Sequence, residues 1–192
     1  NTDEAAGQTV LGVTAQFPAT GEIAIATTTR TNGQSEQRTI STADATTVTV
    51  TAGLTNAHSG TSPTQAEVIY LTRNSVIQGE SDSLQGFIRF AATANYVFDY
   101  VEFYRLGSNT ETQRGVDVLT TTGSGTISNS ALHNFPVAGA GISTGTNANN
   151  FTLTNNVMYN VLGGFKVNTT TSSNWSIDGN TCIFCGWFDP TV

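Results

Sequence analysis

Residues 151–182 read FTLTNNVMYNVLGGFKVNTTTSSNWSIDGNTC, and one spacing occurs twice inside that stretch. Leu153 is followed five positions later by Met158, and Ile177 by Cys182. In a straight strand, residues five apart face opposite sides of the sheet. Five therefore does not suit one strand. It suits two short strands joined by a bend, with both apolar residues turned inward. The intervening residues, Thr154-Asn155-Asn156-Val157 and Asp178-Gly179-Asn180-Thr181, include the types that tolerate bends.

The same spacing extends back along the chain, in Leu71 and Val76, Phe98 and Phe103, and Ile127 and Leu132. A third element accompanies it. Gly86, Gly115, Gly141 and Gly164 each open a short apolar stretch, and the next anchor follows after 12, 12, 12 and 13 residues. The variable part runs from the second strand to the next Gly, so the anchor-to-anchor periods are 27, 29, 26 and 24. Three short strands, near-constant corners and one elastic loop describe a coil of a parallel β-helix. Stacking at about 4.8 Å predicts one internal column of Leu71, Phe98, Ile127, Leu153 and Ile177. A second holds Val76, Phe103, Leu132, Met158 and Cys182. Tyr96, Phe151 and Trp175 precede their anchors by two and also face inward, while Gly125 interrupts their row and leaves space for neighbouring rings. Asn74, Asn129 and Asn155 fall near one level of the bend, with Asn156 and Asn180 beside it. Such positions predict a structural ladder of side-chain amides rather than a metal or sugar site.

Ahead of the repeat, Gln8 to Ala15, Glu22 to Thr27, Glu36 to Ser41 and Thr46 to Thr51 alternate as strands, with turns at 31–33 and 43–45. The expected fold is all-β: a right-handed parallel β-helix of about five coils over residues 66–192, with a β-rich cap or sandwich-like start over residues 1–65. The 34 Thr and 17 Asn of the chain agree with extended structure and polar turns.

Charge excludes some partners. The 192 residues carry 7 basic and 14 acidic side chains, a formal charge of −7, and the scattered cations cannot form a basic stripe. Nucleic acid and anionic membranes are therefore poor partners. No apolar stretch is long enough to insert across a bilayer. The chain opens on Asn without a visible leader, which is expected of a mature product or a piece of something longer.

The stretch GEIAIATTTRTNGQSEQRTISTADATTVTVTAGLTNAHSG (residues 21–60), followed by AEVIYLTRNSVIQGE (residues 66–80), resembles a region of the group that includes fibrocystin and the cell-migration-inducing hyaluronan-binding protein. The resemblance rests on AEV, LTRN and VIQG in that order after His58-x-Gly60, with Phe17 and Glu22 standing where the group usually has Trp and Asp. It implies an extracellular setting, parallel β-helix repeats and, for some members, action on hyaluronan. No catalytic residue carries over.

Candidate chemistry is sparse. Asp99, Glu102 and Arg105 flank the Phe98–Phe103 pair, and Asp117 lies on the next coil. Paired carboxylates or a base beside a cation would serve glycan cleavage, against the simpler reading of a solvated outer surface. Asp99, Asp117 and Asp178 do not converge as calcium ligands would. Tyr104, His133 and Tyr159 share one outer position and form a candidate glycan-stacking row, or else pack laterally under the loops. Cys182 and Cys185 are spaced for a local disulfide in an oxidising compartment, or for two buried thiols. Asn150, Asn168 and Asn174 open N-x-S/T sequons and are candidate glycosylation sites. The Thr runs at 27–29, 120–122 and 169–171 are candidates for O-linked sugar or simple β-forming turns. No residue is assigned to catalysis, a cofactor or a metal.

These readings point to an extracellular or cell-surface β-solenoid with a structural or adhesive role. Its expected partners are glycans, and further copies of itself or the rest of a longer chain stacked end to end. The alternatives are a polysaccharide-degrading enzyme of the hyaluronan-cleaving kind and a non-catalytic glycan-binding module.

Overall fold

The computed structural model describes residues 3–31, 33–108, 110, 113–120, 122–136, 141–145, 148–168, 173–186 and 189–191. The chain divides into two compact units, Asn1–Thr72 and Arg73–Val192. The described residues form strands, bridges and turns, without a helix.

The first unit is an antiparallel sheet. Its strands are β1 (Val10–Gly12), β2 (Gly21–Ile25), β3 (Glu36–Ala43), β4 (Thr47–Val50) and β5 (Val68–Tyr70), in the order β1-β4-β3-β2-β5. Alternation sets the buried face: Leu11, Ile23, Ile25, Ile40, Val48 and Val50 gather with Leu54 into one apolar cluster. The register shifts between Ile40 and Thr42, so a bulge bends β3 where it leaves β2 and pairs with β4 alone.

The second unit is a parallel β-helix of about four turns. The first coil is β6 (Ser75–Gln78), β7 (Ile88–Ala92) and β8 (Tyr96–Asp99). The second is β9 (Val101–Tyr104), β10 (Gly115–Thr120) and β11 (Gly125–Ser128), and the third β12 (Ala131–Phe135), β13 (Gly141–Thr144) and β14 (Phe151–Thr154). The fourth is β15 (Val157–Val161), β16 (Gly164–Asn168) and β17 (Ser176–Asp178), followed by β18 (Thr181–Ile183) and β19 (Asp189–Thr191). Stacked, they make sheet I (β6-β9-β12-β15-β18), sheet II (β7-β10-β13-β16-β19) and sheet III (β8-β11-β14-β17).

The corners explain the spacing of five. Asn129 and Asn155 adopt the left-handed conformation with φ of 49° and 54°, and Tyr100 and Gly179 occupy the same level with φ of 56° and 63°. A single left-handed residue turns the chain sharply, so the next strand starts with its facing reset. A second left-handed level lies at the end of sheet I, at Arg105, Asn134, Asn160 and Phe184. Asn accepts this conformation readily, whereas Arg and Phe carry a steric cost of about 1–2 kcal/mol there.

The internal columns follow. Phe98, Ile127, Leu153 and Ile177 are in register along sheet III. Phe103, Leu132, Met158 and Cys182 are in register along sheet I. Phe98, Ile127, Leu153, Phe103, Leu132 and Met158 join Val116 and Ile142 of sheet II in one apolar core, whereas Ile177 and Cys182, on the last strands, are exposed. Full burial of side chains of this size stabilises the unit by about 2 kcal/mol each.

Four expectations need correction. Leu71 is outside the column: β5 pairs with β2 and Leu71 N–H donates to the Glu22 carbonyl, so this segment belongs to the antiparallel unit. That removes one sheet III strand and leaves about four turns instead of five. Val76 does not face inward; Ile77 is the residue in register with Phe103, and Val76 is 47% exposed. Gly86 is one position out of line with the other glycines, because Val116 pairs with Ile88 and Gly115 therefore stands beside Phe87. Cys182 keeps its register with Met158 but is exposed, because β18 is the terminal strand of sheet I and has a neighbour on one side only.

The amide ladder exists, but one residue along from part of the predicted set. Ser130 N–H donates to Asn156 Oδ1 at 2.9 Å, and Asn156 Nδ2 donates to the Ile127 carbonyl and to Asn180 Oδ1, both at 2.9 Å. Asn129 and Asn155 supply the bend itself, and Asn74 lies outside the ladder.

Candidate functional site

Part of the chemistry-bearing set of the second unit, Glu102 with Tyr104, His133 and Tyr159, shares sheet I. Tyr104, His133 and Tyr159 are in register there, two positions after Glu102, Ala131 and Val157. The short side chain of Ala131 lets Glu102 lean diagonally toward the next coil. His133 Nε2 lies 3.0 Å from Glu102 Oε1. The other carboxylate oxygen accepts the Arg73 backbone N–H at 2.9 Å. Arg73 reaches one coil further, where its Nε donates to the Asn129 carbonyl at 2.9 Å.

This cluster is not the solvated surface expected from sequence. His133 is 1% exposed and Glu102 8%. The Tyr104 ring stacks on His133 with centroids 4.8 Å apart, and the Arg105 guanidinium lies 4.5 Å from the Tyr104 centroid. Arg105 also pairs with Asp82 at 2.9 Å. Burial pushes the Glu102 carboxyl up, but the hydrogen bonds from His133 and the Arg73 N–H, with their charges, outweigh it and hold the group below the usual glutamate range. An ionised carboxylate with both oxygens engaged is a structural acceptor, not a proton donor. His133 and Tyr159 are both buried, so their ring faces serve packing within the row.

The other carboxylates singled out in the sequence stand elsewhere. Asp99 is on sheet III, exposed, accepting from Ser128 Oγ at 2.9 Å and Asn129 Nδ2 at 2.8 Å. Asp117 is on sheet II, 1% exposed, in a row with Arg89, Ser143 and Lys166. Burial raises its carboxyl, against the opposing Arg114 backbone N–H and the Arg89 and Arg114 charges. Thus Asp99, Glu102 and Asp117 occupy three different sheets. Asp178 is exposed and in register with Thr154. Among the described residues, no group of three or more His, Cys, Asp or Glu side chains is placed to hold a metal.

Asn150 and Asn174 occupy a third corner, with φ of 53° and 61°. Asn174 Nδ2 donates to Asn150 Oδ1 at 3.0 Å, so the nitrogen that would carry sugar is engaged in a coil-to-coil bond. The Asn168 side chain and residues 169–172 lie outside the described residues, as does Thr121 of another Thr run. Cys182 and Cys185 are joined as a disulfide across the Phe184 corner, with Cα atoms 6.0 Å apart.

The first unit holds a second buried His–Glu pair. His58 Nε2 lies 2.8 Å from Glu36 Oε1, and His58 Nδ1 lies 2.9 Å from the Ala26 carbonyl. Glu36 also accepts the Thr55 and Asn56 N–H groups at 2.7 and 2.8 Å, and pairs with Arg38. Beside it is a cavity of about 30 Å³ lined by Glu4, Leu11, Ile25, His58 and Val68 among others, room for a water or two.

Sequence reasoning missed the Arg73 clasp and the second amide pair, Asn160 Nδ2 donating to Asn134 Oδ1 at 3.2 Å. The latter had a signal: Asn134 and Asn160 each follow the second apolar residue of their pair by two. The clasp had none, because it joins residues 29 and 56 positions apart.

The fold and this cluster define a β-solenoid protein with an antiparallel N-terminal unit. Comparison with known protein families, curated proteins and solved structures finds no match to the chain.

Proposed function

We propose that this chain is an extracellular or cell-surface β-solenoid module with a structural or adhesive role. One observation carries the reading: Glu102 and the asparagines of the corners are engaged in bonds between coils. Glu102 ties Arg73 to His133, Asn156 ties Ser130 and Ile127 to Asn180, and Asn174 ties to Asn150. Side chains bonded to neighbouring coils hold a scaffold in shape. The Cys182–Cys185 disulfide suits an oxidising compartment, and the resemblance of residues 21–80 to the fibrocystin group favours the same location. Among the described residues, β17, β18 and β19 are each paired on one side, and Ile177 at the end of its column is 42% exposed. On this reading they receive further β structure, from the rest of a longer chain or from a second copy.

The test is direct. The protein is imaged by electron microscopy and incubated with a panel of polysaccharides whose products are sized. Elongated particles or filaments with intact polysaccharide are the expected result. Depolymerisation abolished by Glu102→Gln or Asp99→Asn would overturn the reading in favour of an enzyme.

A further inference from the structure

β6 and β18 are the edge strands of sheet I, and β6 is the one with no buried residue. It has β9 on one side only, and of its four residues Ser75, Val76 and Gln78 are exposed while Ile77 alone turns toward the core. β9, β12 and β15, in contrast, each contain at least three buried residues. What holds β6 at its start is Arg73, two residues ahead, whose backbone N–H enters Glu102 Oε2 and whose Nε enters the Asn129 carbonyl. Glu102 is in turn fixed by His133 on the coil below. At the far end of the strand, Gly79 N–H donates to the Tyr104 carbonyl at 3.0 Å.

We propose that β6 is a detachable strap on the solenoid, held shut by the Glu102 carboxylate through the Arg73 backbone, and that protonation of this carboxylate opens it. Opening bares the edge of β9, a row of N–H and C=O groups ready to pair with another strand. The charged and titratable groups around Glu102 are His133 from β12, Arg73 from the segment before β6, Tyr104 and Arg105 at the end of β9, and Asp82 from the loop after β6. The sign follows from the lowered carboxyl. The hold is complete above the ordinary glutamate range, about pH 4.3, and is lost as the pH falls through the lower folded value.

Hydrogen exchange of the full chain, resolved to residues 73–79, tests this. At neutral pH, Glu102→Ala raises exchange in that segment by about tenfold or more, the effect of losing a charge-assisted hydrogen bond, while β12 and β15 keep their protection. Tryptic cleavage after Arg73 accelerates in parallel. In the unmodified chain, acid produces the same selective opening, and Glu102→Gln, which keeps the shape but cannot ionise, removes that acid response. Unchanged exchange of residues 73–79 in both variants at neutral pH would overturn the proposal. So would acid opening of β6 that occurs only together with β12 and β15.

Discussion

The side-chain amide of Asn156 donates to Asn180 Oδ1 at 2.9 Å, one coil below, while its own oxygen accepts the Ser130 N–H one coil above. Asn156 is completely buried, so this single residue satisfies backbone groups that water cannot reach. Asn156→Ala strands the Ser130 N–H and the Ile127 carbonyl, and is expected to cost at least about 2 kcal/mol. Asn180→Ala, at a partly exposed rung, is expected to cost about 1 kcal/mol. Urea denaturation of both variants gives the comparison; equal losses would mean that the ladder does not depend on burial.

Gly125 stands in register with Tyr96 and Phe151, and a β-carbon at residue 125 would fall inside the Tyr96 ring. The missing side chain makes room for that ring, which stacks on Phe90 with centroids 3.6 Å apart. Gly125→Ala is expected to destabilise the solenoid by about 2 kcal/mol through overpacking. Tyr96→Ala in the same chain should relieve part of that penalty. A double-mutant cycle with no coupling between the two positions contradicts the steric account.

Glu36 pins the first unit. Burial drives its carboxyl up, but the Thr55 and Asn56 N–H groups, His58 and Arg38 together hold it below the usual glutamate range. Its contribution is therefore present above about pH 4.3 and disappears as the pH falls through the folded value. Glu36→Gln should cost about 3 kcal/mol at neutral pH and flatten the acid limb of the stability profile. Parallel profiles for the two proteins would exclude Glu36 from the acid response.

Tyr159 separates packing from recognition in the outer row of sheet I. It is buried and in register with His133. Tyr159→Ala is expected to lose about 3 kcal/mol of stability, whereas Tyr104→Ala, at a half-buried position, loses less. Thermal denaturation measures both. A glycan array on which Tyr104→Ala abolishes binding without any loss of stability would point to a glycan-recognition role for the row.

The repeat was legible because it is local. A spacing of five, with Asn or Gly inside it except in the Phe98–Phe103 pair, where Tyr100 takes the corner, records a left-handed turn between two strands, and Phe98, Ile127, Leu153 and Ile177 align as that spacing requires. The same spacing misled at Leu71 and Val76, where both residues are apolar but no corner joins two coils. There the choice was made by strand pairing: β2 captures β5, with Ile23 opposite Tyr70, and β6 takes its register from β9.

By itself, then, the order of residues determined the β-solenoid, the identity of most inward rows and the Asn-bearing corners, since each depends on neighbours within a few positions. The tertiary structure decided where the antiparallel unit yields to the solenoid, and which outer groups are buried. Glu102 and His133 are 31 positions apart, and each looks like a surface residue in its own strand. Only stacking at one-coil separation brings the carboxylate over Ala131 to the imidazole, and only the Arg73 backbone completes it. Such contacts have no local signature, because the loops that set their separation vary in length from coil to coil.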